Sequence, residues 1–234
     1  MTKLQFYKEE VLILMALEHH PRIVTSDLVL YLDAANYRSY VGSGTTWNDL
    51  SLSKNTSSLV NSPTYSSANN GYISFDGTND YISVNSNANI LSYSEYTKIA
   101  WFYVTTFSTA NNIISGGVSG QHAFWLYVSN RLYAGHNGNW ATVTGNTTLS
   151  LNTWYFGATT YNNTTGWKLY LNGIEDGSSI NSTTFTGNQE ILVGAYGAGN
   201  YYSGRIGLVQ VYNRTLTAAE ILQNYNATKK RYGL

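Results

Sequence analysis

The stretch "KIAWFYVTTF", Lys98 to Phe107, limits the possible folds more than any other part of the chain. It is long, free of Gly and Pro, and rich in aromatic and β-branched residues, which marks a strand. Side chains alternate across a strand. Ile99, Trp101 and Tyr103 therefore share one face, and Ala100, Phe102 and Val104 share the other. Both sets are apolar, so this strand needs a cover on each side. "HAFWLYV", from His122, reads the same way.

Shorter runs repeat the period of two. "DLVLYLDA" alternates around Leu28, Leu30 and Leu32, and "TWYFGATTY" groups Trp154, Phe156 and Ala158. "GWKLYLNGIED" turns Trp167, Leu169 and Leu171 inward and Lys168 and Tyr170 outward. Asn172-Gly173 then supplies a tight hairpin, because both residues tolerate positive φ. The 21 glycines are spread along the chain and fit many turns rather than a linker. Strands at short intervals without βα alternation predict an all-β, two-sheet antiparallel sandwich.

Two helices are expected. Residues 4–19 lack glycine and favour a helix, which Pro21 stops. Residues 1–22 then form an N-terminal helical arm, and 23–234 form one domain. The second helix follows the last strand, where Thr217 and Glu220 make a capping box in "TAAE". It is expected to cover an open edge or end of the sandwich.

Charged residues make up 11% of the chain and the formal net charge is zero. No basic run suits a phosphate backbone, so nucleic acid is not an expected partner. The apolar run Val11 to Leu17 is too short to span a membrane, and Glu9 and Glu10 stand where a signal peptide carries positive charge. Cysteine is absent, which removes disulfide and thiolate chemistry.

The ordered series "LVLYLDAAN", "YISFDGTNDYISV", "NTWYFGATTY", "WKLYLNGIEDG", "ILVGAYG" and "YYSGRIGLVQVYNRTLTAAEI" resembles the concanavalin A-like, laminin G-like jelly rolls from about Val24 to Tyr225. The hallmarks fall on Phe75-Asp76-Gly77, on Trp167 to Gly173 and on Gly204 to Ile221. The resemblance implies a jelly-roll domain. One departure stands out. Where the family often has Gly-x-Ile-Asp-Glu, this chain has Gly204-Arg205-Ile206-Gly207-Leu208, without the acidic pair. The opening "SDLVLYLDAANYRSYVGSGTTWNDLS" is similar to openings of virion proteins of large tailed bacteriophages. That similarity implies a virion-surface protein, in capsid decoration, fibre or tail, with other virion proteins as partners.

Candidate sites follow from residue type. Asp76 and Asp80 flank the turn in "FDGTND". They are either turn-fixing groups that bond their own backbone or the start of a calcium site, which needs six to eight oxygens. No other cofactor is expected. A glycosidase needs two carboxylates flanking the bond, and no strand carries a pair two or four residues apart on one face, so no enzyme is expected. Aromatic rings and neutral hydrogen-bonding groups suit sugars better. They cluster in "LYAGHNGNW", with Tyr133, His136, Asn137, Asn139 and Trp140, and in "AYGAGNYY", with Tyr196, Asn200, Tyr201 and Tyr202. Three readings remain open at this point. One is a virion protein whose loops bind host or environmental glycans. The second is a purely architectural subunit, since 21 tyrosines and few charges also suit a homo-oligomeric interface. The third is a calcium-dependent carbohydrate-binding module of a cell-surface protein.

Overall fold

The computed structural model describes residues 21–85, 90–108, 110–117, 121–127, 129–197 and 199–234. The expected helix over 4–19 lies outside the described residues. The strands begin with β1 (Leu28–Asp33), β2 (Thr56–Val60), β3 (Thr64–Ser66), β4 (Tyr72–Asp76) and β5 (Tyr81–Asn85). They continue with β6 (Glu95–Val104), β7 (Asn111–Asn112), β8 (Ile114–Ser115), β9 (His122–Leu126), β10 (Leu132–His136) and β11 (Asn139–Thr144). β12 (Trp154–Asn162), β13 (Gly166–Leu171), β14 (Ile174–Ser179), β15 (Ile191–Val193) and β16 (Ser203–Tyr212) complete the set, followed by helix α1 (Ala218–Thr228).

One layer is a single antiparallel sheet in the order β14-β13-β12-β6-β16-β4-β3. The long β16 serves two partners on its other edge: Ser203 to Ile206 pair with β4, and Leu208 to Tyr212 pair with β1. The second layer joins β11-β10-β9-β7 to β2-β5-β15-β8. Two backbone bonds stitch its halves together, Ile113 N to Phe124 O (2.9 Å) and Gly116 N to His122 O (2.8 Å). The predicted two-sheet antiparallel sandwich is the observed one.

β6 has the two covers its sequence demanded. Ala100, Phe102 and Val104 face the inter-layer core with Phe124, Leu132 and Leu169. Ile99 and Trp101 face the other way, into a second core with Phe156, Leu208 and Ile221. α1 supplies that cover. The expectation for α1 placed it at an edge or end, but it lies over the central strands β12, β6 and β16, because Trp101, Phe156 and Tyr212 make an apolar floor there. Trp101 stacks on Tyr232 (4.1 Å between ring centroids) and donates from Nε1 to Thr228 Oγ1 (2.7 Å). Tyr170, expected outward, does face away from the other layer but is buried in this second core. The capping box is present: Thr217 accepts from Glu220 N, and Glu220 accepts from Thr217 N. Such a cap contributes about 1 kcal/mol.

The departure from the family pattern has a packing reason. Gly207 is the extra residue of a bulge between Ile206 and Leu208 opposite β6. A Cβ there would lie 2.4 Å from the Tyr232 hydroxyl, so the missing side chain lets Tyr232 reach Trp101. Leu208 enters the apolar floor beside it. Asp33, fully buried, closes the same region by accepting from Arg231 (2.7 Å) and Tyr31 OH (2.9 Å). Asp49 fixes the "WNDLS" loop against β1 by accepting from Tyr31 N and Ser51 N (2.8 Å each).

Candidate functional site

Among the described residues, no helix or second sheet covers the face of β9 that looks away from the first layer. His122, Phe124 and Leu126 point inward, so Ala123, Trp125 and Tyr127 point outward. Among the described residues the second cover expected for "HAFWLYV" is therefore not present, and Trp125 is half-buried. Trp125 stands 5.1 Å from the ring of Tyr133 on β10 and 5.8 Å from Tyr127. Its Nε1 donates to the carbonyl of Trp140 on β11 (2.8 Å). The Trp140 ring in turn meets Tyr196 at 4.9 Å. Between these rings opens a concavity of about 480 Å³, also lined by Ser108, Asn112 and Asn200.

Its floor is fixed by hydrogen bonds. Asn112 donates to the Asn200 carbonyl (3.1 Å) and accepts from Ser115 Oγ (2.8 Å). That ties Asn200 to β7. Asn200 sits at φ +54°, a conformation asparagine tolerates well. Burial raises the Tyr196 phenol above its ordinary value, so its hydroxyl is a neutral donor. Aromatic faces, amides and hydroxyls line the site, and no ionised side chain is among its described lining residues.

Of the nine loop residues singled out from sequence, Trp140, Tyr196 and Asn200 come together in this concavity. Tyr133 flanks it through Trp125, with its hydroxyl bonded to Ser129. Asn137 is used internally: it donates to Thr184 O (2.7 Å) and accepts from Thr186 N (3.0 Å), pinning the 183–186 segment. Asn139 is exposed beside this turn. Tyr201 lines a neighbouring concavity instead, 6.5 Å from Tyr81. Two candidates are corrected outright. Tyr202 is fully buried against Phe75, because its face of the chain alternates inward. His136, the last residue of β10, points into the core and stacks on Phe185. Trp125, Tyr127 and Asn112 were missed. The signal was the alternation itself, which puts Trp125 opposite Phe124.

Asp76 and Asp80 bond their own hairpin. Asp76 accepts from Thr78 N (2.8 Å) and Asn79 N (3.3 Å), and Asp80 accepts from Asp76 N (3.1 Å). The Thr78 amide bond holds Asp76 below the usual carboxylate range, while burial raises Asp80. This is the turn-fixing geometry. Among the described residues no three His, Cys, Asp or Glu side chains gather around a common point. No described helix is long and apolar enough to cross a membrane.

Behind the concavity lies a buried basic network. Lys98, fully buried, places Nζ 2.7 Å from His122 Nδ1 and donates to Ile114 O (3.3 Å). His122 Nε2 lies 2.8 Å from the Glu190 carbonyl, so Nε2 carries the proton and Nδ1 accepts. His136 repeats the pattern, with Nε2 donating to Thr183 O (2.8 Å) and Nδ1 facing Tyr96 OH (3.2 Å). Burial pushes Lys98 and His122 well below their ordinary values. It also holds His136 at about 4, partly offset by the Thr183 carbonyl. Both rings are neutral at pH 7 and serve as structure.

With this geometry in hand, comparison places the chain. No curated protein matches it. Residues 76–222 match the family model described as the concanavalin A-like lectin/glucanases superfamily. Trypanosoma rangeli sialidase, in complex with 2,3-difluorosialic acid, is similar over 97% of this chain and 39% of its own, at 14% identity and a TM-score of 0.68. Botulinum neurotoxin type C, whose cell uptake depends on two ganglioside molecules, is similar over 87% of this chain and 52% of its own, at 14% identity and a TM-score of 0.64. The binding domain of botulinum neurotoxin DC, solved with rat synaptotagmin II, gives 88%, 52%, 14% and 0.65 in the same order. The chain thus spans about four-tenths to one-half of the solved proteins it matches, and at these identities the likeness is one of fold. The family model covers well over half of the sequence, and the chain belongs to the concanavalin A-like lectin/glucanases superfamily.

Proposed function

We propose that the chain is a carbohydrate-binding module whose primary site is the concavity between Trp125, Trp140 and Tyr196. The observation that carries the reading is the meeting of two distant aromatic segments, Trp140 against Tyr196 at 4.9 Å, over a hydrogen-bonded floor of neutral amides. A sugar ring offers an apolar face to an aromatic ring and hydroxyls to amide groups, which is the chemistry available here. Recognition is non-covalent in this reading. The solved neighbours include proteins described with sialic acid analogues and gangliosides, which agrees with a glycan ligand.

The setting belongs to the same proposal. The similarity of the opening segment to phage virion proteins supports display on a virion surface. In that setting a homo-oligomeric array would multiply weak sites by avidity. Trp125→Ala combined with Trp140→Ala tests the site. Loss of two aromatic anchors is expected to weaken binding on a glycan array by at least about tenfold, the effect of removing a binding hot spot. Unchanged binding by the folded double variant would refute the location.

A further inference from the structure

Two further concavities adjoin the first through shared or sequence-adjacent lining residues. Residues 196, 197, 200 and 201 form a shared wall. Tyr196 and Asn200 line the primary concavity, whereas Gly197 and Tyr201 line a second one of about 330 Å³. The second lies on the outward side of β5 and β15, where Tyr81, Ser83 and Leu192 face out while Ile82 and Val193 face the core. Asn61 is its far wall, and Asn61 also lines a third concavity of about 520 Å³ at the edge of the layer. The Asn61 amide is anchored to Asn79 O (2.8 Å), so this partition is held in place.

Each concavity contains an aromatic pair. The first has Trp140 and Tyr196 (4.9 Å), the second Tyr81 and Tyr201 (6.5 Å), and the third Tyr40 and Tyr65 (5.1 Å). Repetition of the same chemistry across the strands fits a ligand that repeats too. The three sets of described lining residues contain no Lys or Arg. They contain one carboxylate, Glu190, in the middle concavity. It lies against Gly117, where a Cβ would overlap its Oε2. It makes no ion pair or side-chain hydrogen bond among the described residues, so its acceptor oxygens are available to a ligand. An acidic sugar placed there would meet like charge with no cation to offset it.

Resting on the carbohydrate reading above, we propose that the three concavities form one groove for a neutral or amine-bearing polysaccharide chain, and that Glu190 in the middle rejects acidic chains. Each unit stacks on one aromatic pair, so affinity grows with the number of units engaged. Glu190 accepts hydroxyl or ammonium hydrogens from the central unit.

Calorimetric titration tests this with di-, tetra- and hexasaccharides from neutral glucan, mannan and galactan, and with polyuronate fragments of the same lengths. The expected result is a neutral series in which the hexasaccharide binds at least about tenfold tighter than the disaccharide, with no polyuronate binding. In Tyr81→Ala/Tyr201→Ala the hexasaccharide-to-disaccharide affinity ratio falls toward one. In Glu190→Gln, polyuronates begin to bind. Melting curves matching the parent confirm that both variants fold. Equal affinity of short and long neutral fragments would overturn the groove and leave the primary site standing. Tight polyuronate binding by the parent would overturn the role of Glu190. Failure of every sugar would overturn the carbohydrate reading itself.

Discussion

Trp101→Ala is expected to cost about 3–5 kcal/mol of stability, the range for truncating a buried aromatic. The loss is a large fraction of what holds a domain of this size together. Trp101 is fully buried on the face of β6 that looks away from the other layer. Its ring stacks on Tyr232 and Tyr225 (4.1 and 5.9 Å) and meets Phe156 edge-on at 5.6 Å. Removing it leaves a hole under α1 that the flat sheet cannot close. Trp101→Phe separates the terms. It keeps a ring in the stack, and loses the bond to Thr228, worth about 1 kcal/mol, together with the volume by which indole exceeds phenyl, so its cost falls below that of the alanine. Thermal unfolding of the two variants checks this, with a drop on the order of 10 °C for the alanine. A loss below about 1 kcal/mol for the alanine would mean that α1 does not form a second core.

Acid should weaken the fold well before its carboxylates are protonated. His136 has its folded value at about 4 and an ordinary value of 6.5. Between these the unfolded chain holds a proton that the folded chain refuses. The stability of the neutral ring is therefore complete above pH 6.5 and is lost as pH falls toward 4. From His136 alone the loss by pH 4.5 is about 2–3 kcal/mol. His122, lowered by burial and by Lys98, acts in the same direction. Glu220, held at about 2 by Arg214, adds its own loss only below its ordinary 4.5. The interval from 6.5 to 4.5 thus lies above the range in which Glu220 contributes. Lys98 adds an alkaline signature. Burial lowers it, so the unfolded chain again holds the extra proton and stability rises as pH climbs toward the ordinary lysine value of 10.5. Urea unfolding against pH checks both limbs. A flat profile from 7 to 4.5 would contradict the neutral-ring account, and Lys98→Met is expected to abolish the alkaline rise.

The sequence made some of this legible and hid the rest, for identifiable reasons. The alternation in "KIAWFYVTTF" required two covers, and both exist. The same alternation places Lys98 on the inner face with Ala100 and Phe102, so its burial was readable from register. Asn172-Gly173 forms its hairpin with both φ values positive. "HAFWLYV" carries a similar pattern, yet Trp125 faces an open concavity rather than a covering layer. Period alone cannot say whether an apolar outer face meets protein or ligand. Tyr201 and Tyr202 are neighbours just before β16, but one lines a surface hollow and the other, its amide bonded to Gly194 O, packs on Phe75. Three of the nine loop candidates met because Asn200 is tied to β7 by Asn112, a long-range bond that local sequence does not encode.

The six tryptophans provide the most direct test of the central claim. Trp47, Trp101, Trp154 and Trp167 are buried, and only Trp125 and Trp140 border the concavity. In a ¹⁵N-labelled sample the six indole N–H signals are followed by NMR while a neutral oligosaccharide is added. The account predicts that the signals of Trp125 and Trp140 move in a saturable way while the other four stay fixed. Saturable binding that leaves both of those signals in place would contradict it.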